Sequence, residues 1–478
     1  MNEILVLVPI LTLGFIISSR LSGASNNYEL LAYLPMGIFS SIGFVTIFEL
    51  GIRTSPYGKM INASALAVII IGILIIGKGI KVFEFQLLSA AIFIAAMAGI
   101  ILLIKNIGLV VLTPDSYATL ANASYFRDAI PISFGNIPAV VKRSVTYPVL
   151  NGLMERDTFL VALAPILNLV FIAQIMGAIY LFRRFLDSVR VAACLAVILL
   201  VSFLSMYQVQ SNFFYINTHT LVAGSITSLA ILGIIWKHRF PSRIEMFTVS
   251  GIGIALSLCR PEGYLIFIVS LIGIIAISEI GSKEIIQICM LPLLGNVLWY
   301  STLILSFHEG GEALSILIID LALTLGIIVL SGGYFKTQRN NFLLISILTV
   351  GVIILAMGAR EPNEFLKGIR NCLYNYYQNW GIPLLWMATL TAIAVISRRK
   401  YPLAGYFGLF GLNIYLFSVF AKLSDGGAGK QIMICRIGWG DSLNRSFMHL
   451  MGLVLLSSIF ILTEKNVKNS ELQNTLTH

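Results

Sequence analysis

A single acidic residue stands at the start of a long polar break in an otherwise apolar chain. Asp115 lies in residues 113–117, TPDSY, just before residues 118–126, which have the spacing of a short amphipathic helix. A carboxylate held at a membrane surface can act as a general base that takes a proton from an attacking hydroxyl group. Asp115 or Ser116 could also cap that helix, and the two roles are compatible. Tyr117, on the apolar face of the helix, is a candidate for a substrate pocket.

A second acidic residue follows in the same polar break, which spans residues 105–157. Asp128 stands beside Arg127, so it is either an ion-paired loop residue or a second candidate for the catalytic acid or base. Connectors that only join packed helices stay short. The length and charge of this break therefore indicate a functional loop.

A charged pair interrupts an apolar stretch in the middle of the chain. Arg260 and Glu262 flank Pro261 in the sequence LSLCRPEGY. Charges at membrane depth are costly unless they are satisfied inside the protein. The pair is either a structural ion pair that holds a helix break, or Arg260 faces a polar cavity and binds a phosphate or a carboxylate, with Glu262 in the pocket.

A third polar group leads into the last apolar helix. Arg445 and His449 are four residues apart and share one helix face, and Asp441 and Asn444 precede them. Arginine presents a planar fork of donors to phosphate oxygens and stays charged. Arg445 could instead snorkel to the membrane interface, but that leaves its polar neighbours without a role. We predict that Arg445 and His449 bind a phosphate group, as Arg260 could, with Asp441 and Asn444 in the substrate pocket.

Another candidate pocket segment starts a helix from the same side. Tyr215 and His219 lie on either side of Asn217 in the sequence NFFYINTH. A lone histidine there is typical of a hydrogen-bonded side chain within a helix bundle. Together, Tyr215 and His219 could line a sugar pocket.

Apolar helices must position all these residues. Of the 478 residues, 58% are hydrophobic and 11% are charged, whereas soluble proteins have about 25% charged residues. The apolar runs predict an all-α polytopic membrane protein with about 13–15 transmembrane helices and a long outer loop that carries short interfacial helices. The runs lie near residues 4–19, 30–52, 62–80, 84–112, 158–182, 189–206, 212–236, 245–259, 262–279, 285–306, 313–331, 341–358, 381–397, 401–421 and 448–463.

The charges of the connectors predict an orientation. The net charge of +10 is spread thinly, with no continuous basic stripe, which argues against nucleic acid as a partner. One alternating set of connectors is basic, and the positive-inside rule places it in the cytoplasm. The loop 105–157 and the candidate site then lie on the periplasmic or extracellular side of the cell membrane. The basic set comprises Arg183, Arg184, Arg190, Lys237, Arg239, Arg243, Lys283, Lys336, Arg339, Arg398, Arg399, Lys400, Lys465 and Lys468.

In this order the motifs TPDSY, RPEG and DSLNRSFMH resemble those of the GT-C glycosyltransferases. The likeness is to the branch that uses polyprenyl-phosphate sugars, similar to the protein mannosyltransferases and the lipid A aminoarabinose transferase. It covers roughly residues 84–463 and implies a catalytic domain there, after N-terminal transmembrane helices in 1–83 and before a cytoplasmic tail in 464–478. It also implies transfer of a hexose or pentose, with inversion, to a hydroxyl group of a glycan, lipid or protein acceptor. By the same resemblance, Asp115 would be the catalytic carboxylate, and Arg260 and Arg445, with His449, would bind the donor phosphate or support that site.

The chain departs from that family in two respects. The family's first outer loop often carries a second acid close to the first, as DxD or ExD, whereas the next acid here is Asp128. This departure leaves a role for Mg²⁺ or Mn²⁺ open. Three additional helices also precede the helix that feeds the loop.

Two other functions compete with glycosyl transfer. An O-antigen-type glycan polymerase or ligase is also polytopic but places its large loop in the second half of the chain. A lipid or solute transporter would show inverted repeats with broken helices at matching positions, and the sequence has one interrupted segment, at Arg260, with no counterpart.

Overall fold

The computed structural model describes residues 2–22, 27–54, 145–152, 158–209, 218–307, 310–332, 341–424, 443 and 446–465. Within these ranges the chain is helical almost throughout, and extended pairing is limited to an isolated bridge between Leu186 and Glu464. The helical architecture agrees with the predicted all-α class.

Fifteen α-helices follow one another in the described residues. They are α1 (Asn2–Leu21), α2 (Asn27–Thr54), α3 (Thr146–Gly152), α4 (Thr158–Leu181), α5 (Val189–Leu204), α6 (His219–Trp236), α7 (Arg243–Cys259), α8 (Gly263–Ile275), α9 (Ser282–Phe307), α10 (Gly310–Ser331), α11 (Phe342–Gly358), α12 (Pro362–Asn375), α13 (Gly381–Ile396), α14 (Pro402–Ser424) and α15 (Met451–Thr463). Short 3-10 segments at Arg183–Phe185 and Phe447–Leu450 and a π-helical turn at Tyr376–Trp380 complete the set.

The predicted apolar runs match these helices. Each predicted run that reaches into the described part coincides with a helix, and the runs 62–80 and 84–112 lie outside it. Seven helical stretches in the described residues have the length and apolar composition needed to cross a membrane. Large apolar side chains stay exposed on α10 and α11, including Ile318, Val329 and Val352. These features are consistent with a polytopic membrane protein.

The charged interruption near Arg260 separates two helices. The sequence predicts separate apolar runs at 245–259 and 262–279, and the structure has α7 and α8 packed as a hairpin, with Phe267 against Gly253. The end of the predicted outer loop is also helical. In α3, Tyr147 and Val149 are buried, and the N–H of Val145 donates to the carbonyl oxygen of Leu258 at 2.9 Å. This part of the loop is therefore packed onto the bundle.

Helix α2 packs against α7 at a close approach of two glycines. A methyl group added at Gly43 would collide with the carbonyl oxygen of Gly251, and one added at Gly251 would meet Ser40 and Phe44. Lipid tails are as apolar as side chains, so helices in membranes associate through tight packing of small residues. The same helix also packs on α1 and α4, so the glycine contact joins the first helices to the middle of the chain.

The basic connectors meet at one end of the bundle, which we call the basic end. The N–H of Asp187 donates to the carbonyl oxygen of Thr463, and the N–H of Lys465 donates to that of Phe185, both at 2.9 Å. The ring of Phe185 stacks on His238 with 6.2 Å between centroids. These contacts bring together the connectors after α4, α6 and α15.

The Glu464 carboxylate holds the start of α14 at the basic end. Its oxygens accept hydrogen bonds from the backbone N–H groups of Leu403 and Ala404, both at 3.0 Å. N–H groups in the first turn have no partner inside their own helix, and the helix dipole favours a negative charge there. Burial raises the pKa of Glu464 to about 7, although the two hydrogen bonds and the charge of Lys237 lower it.

Substituting Gly43 by alanine should destabilise the protein, because the new methyl group forces α2 away from α7. Overpacking of this kind costs about 1–3 kcal/mol. Thermal unfolding in detergent micelles measures the effect. The control is Gly326→Ala in α10, where no atom lies within 4 Å of the added methyl group. Equal destabilisation by both substitutions would contradict the close approach.

The stability of the protein relative to Glu464→Gln should fall as the pH rises. The pKa of Glu464 in the folded state, about 7, lies above its ordinary value of 4.5. The stabilisation from this group is therefore complete below about pH 4.5 and is lost as the pH rises through about 7. The change in the free energy of unfolding should be on the order of 3 kcal/mol.

Thermal unfolding of both proteins between pH 5 and pH 8 tests this dependence. The exposed Glu279 offers a matched control, and Glu279→Gln should follow the wild type at every pH. A constant difference between the wild type and Glu464→Gln would contradict the raised pKa.

Candidate functional site

Four of the residues predicted from sequence meet at the end of the bundle opposite the basic end. His219 begins α6, Arg260 ends α7, Glu262 precedes α8, and His449 lies in the 3-10 segment before α15. Because each of these helices runs the length of the bundle from the basic end, its other terminus lies here. We call these four residues the histidine–arginine cluster.

The two histidine rings are in direct contact. His219 Nδ1 and His449 Nε2 are 2.8 Å apart, and the ring centroids are 5.0 Å apart. In such a contact one nitrogen donates a proton and the other accepts it, so the two tautomers differ in which ring carries the shared proton. This pair can therefore take up or release a proton at a defined place.

The Arg260 guanidinium lies next to both rings. Its Nη1 is 3.3 Å from His219 Nδ1 and 3.5 Å from His449 Nε2. The histidines are 4% and 1% exposed, whereas the Arg260 side chain is 19% exposed. The cation thus forms the outer layer of the cluster, and the imidazoles form the inner layer.

The ion pair predicted at the helix break is present. Arg260 Nε donates to Glu262 Oε1 at 2.7 Å. Burial acts to raise the pKa of Glu262, but the charge of Arg260 and its hydrogen bond outweigh burial, so the pKa lies below its ordinary value. Glu262 is therefore ionised at neutral pH and holds the guanidinium in place, while the other terminal nitrogen of Arg260 remains able to bind a ligand.

The sequence RPEG explains the local geometry. The residue before a proline is pushed out of the helical region, and Arg260 is extended, with φ −154° and ψ 152°, where α7 ends. A side chain at Gly263 would collide with the carbonyl oxygen of Leu256. Pro261 and Gly263 together make the tight turn that brings Arg260 and Glu262 to the end of the bundle.

A group of aromatic side chains flanks the cluster. Phe447, two residues before His449, packs against Tyr376, Trp380 and Tyr415, with ring centroids 5.2–6.1 Å apart. The hydroxyl groups of Tyr376 and Tyr415 are 2.7 Å apart.

Helix α12 and the π-helical turn that follows it lie beside this aromatic group. Phe365 and Cys372 face the bundle, whereas Ile369 and Leu373 are exposed. Leu366 is also exposed, at 62%. Exposed apolar side chains on an amphipathic helix suit contact with lipid.

The other predicted site residues lie outside the described part of the chain. They are Asp115, Tyr117, Asp128, Tyr215, Asp441, Asn444 and Arg445. Their roles stay predictions. Within the described residues, no group of three or more histidine, cysteine or acidic side chains is arranged to hold a metal ion.

Two further polar features were missed by the sequence reasoning. The charge of Lys422 acts on Glu262 and lowers its pKa, so a second cation contributes to the field at the cluster. Asn296 Nδ2 donates to Asp320 Oδ2 at 2.7 Å inside the bundle. An acidic residue in the apolar run 313–331 was the available signal for Asp320, whereas nothing local pointed to Lys422.

No family model matches the chain, and comparisons with curated proteins and with solved structures find no match either.

A double-mutant cycle should show coupling between the two histidines. His219→Ala and His449→Ala each remove the 2.8 Å contact, so their combined effect on the free energy of unfolding should fall short of additivity by about 0.5–3 kcal/mol. The control cycle pairs His219→Ala with His238→Ala, since His238 lies at the basic end. That cycle should be additive within about 0.5 kcal/mol. Additivity in both cycles would show that the contact between the imidazoles does not contribute to the free energy of unfolding.

Proposed function

We propose that this protein is a membrane glycosyltransferase that moves a sugar from a polyprenyl-phosphate donor to an acceptor hydroxyl group. The main support is the convergence of His219, Arg260 and His449, which come from three distant parts of the chain. A guanidinium backed by two imidazoles suits a phosphate group, because charge-assisted hydrogen bonds to phosphate are strong.

The proposed reaction needs a base on the acceptor and positive charge on the leaving group. The acceptor oxygen attacks the anomeric carbon while the bond from that carbon to the phosphate oxygen breaks, and its electron pair leaves with polyprenyl phosphate. Asp115 takes the acceptor proton. Arg260 and Arg445 stabilise the charge that builds on the leaving phosphate. Attack from the face opposite the phosphate inverts the anomeric centre.

The histidine pair gives this reaction a proton reservoir beside the leaving group. The two nitrogens that share this proton, His219 Nδ1 and His449 Nε2, lie 3.3 and 3.5 Å from Arg260 Nη1. The other terminal nitrogen of Arg260, Nη2, would contact the phosphate. Protonating the phosphate as it leaves neutralises part of its charge. Glu262 keeps Arg260 oriented toward this position.

The orientation in the membrane follows from charge. The basic end faces the cytoplasm by the positive-inside rule, and the histidine–arginine cluster then faces the periplasm or the cell exterior. A lipid-linked donor reaches such a site through the bilayer, which is compatible with the exposed apolar side chains of α12.

A transporter is a second candidate, and one buried carboxyl group favours it. The Asp320 side chain, in α10, is 4% exposed and accepts the hydrogen bond from Asn296 of α9. The backbone oxygen of Asp320 accepts a second hydrogen bond, from the hydroxyl group of Thr324. That hydroxyl group also contacts the hydroxyl group of Tyr264 in α8. Ionisable side chains within membrane helices often mark proton or ion pathways. Ion-driven uptake into proteoliposomes that is lost in Asp320→Asn, without sugar transfer, would favour this candidate.

Sugar transfer from a polyprenyl-phosphate donor tests the main proposal. Purified protein in nanodiscs should transfer labelled sugar to an acceptor hydroxyl group, and Arg260→Gln should lower the rate by about 100- to 1,000-fold, as removal of one charge-stabilising donor does elsewhere. Arg398→Gln removes the same charge at the opposite end and should leave the rate unchanged.

Two further variants separate the proposed roles. Turnover that survives Asp115→Asn would exclude Asp115 as the base. Unchanged donor binding in Arg445→Ala would exclude a phosphate-binding role for that residue. Absence of transfer with any polyprenyl-phosphate sugar would overturn the proposal as a whole.

A further inference from the structure

A cavity lies at the basic end, far from the histidine–arginine cluster. It has a volume of about 410 Å³ and lies between the C-terminal ends of α4 and α6 and the connector after α6, with Tyr33 of α2 at its side. This volume falls within the range of small-molecule sites, about 300–1,000 Å³. No residue of the histidine–arginine cluster lines it.

The wall of this cavity has an apolar part and a cationic part. The part toward the helices is apolar, and the part toward the outside is cationic. The apolar wall comprises Leu181, Phe182, Ile234 and Ile235, and the rim comprises Arg183, Arg184 and Arg239. A ligand that fills this cavity therefore needs a hydrocarbon part and an anionic part.

One of the three rim arginines is neutralised within the protein. Arg239 makes a two-point contact with Glu245, at 2.6 and 2.8 Å. Burial, and the charges of Lys237 and Arg184, lower the pKa of His238 to about 4, so this side chain is uncharged at neutral pH. Arg239 and His238 therefore add little positive charge to the rim, which also carries Arg183 and Arg184.

Those two arginines are held by aromatic rings. The guanidinium of Arg183 lies over the ring of Tyr180 at 4.3 Å, and that of Arg184 lies over the ring of Phe185 at 4.9 Å. Stacking holds the plane of a guanidinium while its edge N–H groups stay able to donate. Within the described residues, Arg184 makes no ion pair. Both side chains are exposed at the mouth of the cavity.

We propose that this cavity binds the phosphate headgroup of an anionic phospholipid, with the hydrocarbon of that lipid along the apolar wall. Basic pockets between membrane helices on the cytoplasmic side are typical sites for anionic headgroups. A free phosphate would satisfy the arginines but leave the partly exposed Leu181 and Ile235 uncovered. The proposal needs the helices to lie in a membrane and does not depend on glycosyl transfer.

Native mass spectrometry of the full chain in detergent, with added phosphatidylglycerol or phosphatidylcholine, measures this binding. The wild type should retain phosphatidylglycerol in preference to phosphatidylcholine. Arg183→Gln combined with Arg184→Gln should weaken retention at least tenfold, since it removes the charge-assisted contacts to the phosphate. The milder Arg184→Gln alone should weaken it in the same direction, and monodisperse elution shows that each variant is folded.

The matched control removes two exposed charges from the same end. Arg398→Gln combined with Arg399→Gln should bind phosphatidylglycerol as the wild type does. Equal losses in both double variants would show only general attraction to the basic end and overturn the site. Equal retention of phosphatidylglycerol and phosphatidylcholine by the wild type would also overturn the site. Displacement of the lipid by inorganic phosphate at equal concentration would show a site for free phosphate and overturn the lipid assignment.

Discussion

The ion pair between Arg260 and Glu262 allows this apolar bundle to hold two charged side chains between α7 and α8. A bundle this apolar cannot leave a charge unpaired at membrane depth, because the cost of removing it from water is several kcal/mol. The pair satisfies each partner, and Pro261 ends α7 so that both side chains reach the end of the bundle. Arg260 then comes within hydrogen-bonding distance of His219 and His449. The arrangement of the candidate site follows from this one paired charge.

Because an unpaired charge is costly to remove from water, the polar groups lie at the two ends of the bundle, and these ends differ in chemistry. At the basic end, Glu464 satisfies the first turn of α14, and excess arginines surround a cavity. At the other end, cations, imidazoles and one acid are arranged as a compact cluster beside aromatic rings. Charge of one sign suits recognition of a lipid surface, whereas mixed charge suits a reaction in which charge develops and disappears.

Tight helix packing fixes the positions of these two ends relative to each other. The hydrophobic effect does not hold helices together within lipid, so contact between small residues and buried hydrogen bonds must do so. Gly43 on Gly251 brings α2 onto α7, and Gln174 of α4 donates to the backbone oxygen of Gly224 and to Ser228 of α6. Because α6 and α7 carry His219 and Arg260, this packing sets the geometry of the cluster.

The amino-acid sequence by itself determined the helices and the break between them. Apolar runs of membrane-spanning length predict helices wherever they occur, and the proline after Arg260 and the glycine after Glu262 predict an interruption, because these effects are local. The sequence also singled out Arg260, Glu262, His219 and His449 as polar residues out of place in apolar surroundings. Only the tertiary structure decided that the two histidines touch each other and the arginine, since they are 230 positions apart in the chain. Local preferences do not encode a contact of that separation. It depends on which helices pack together, as do the aromatic group around Phe447, the pairing of Asp320 with Asn296 and the cavity beneath Arg184.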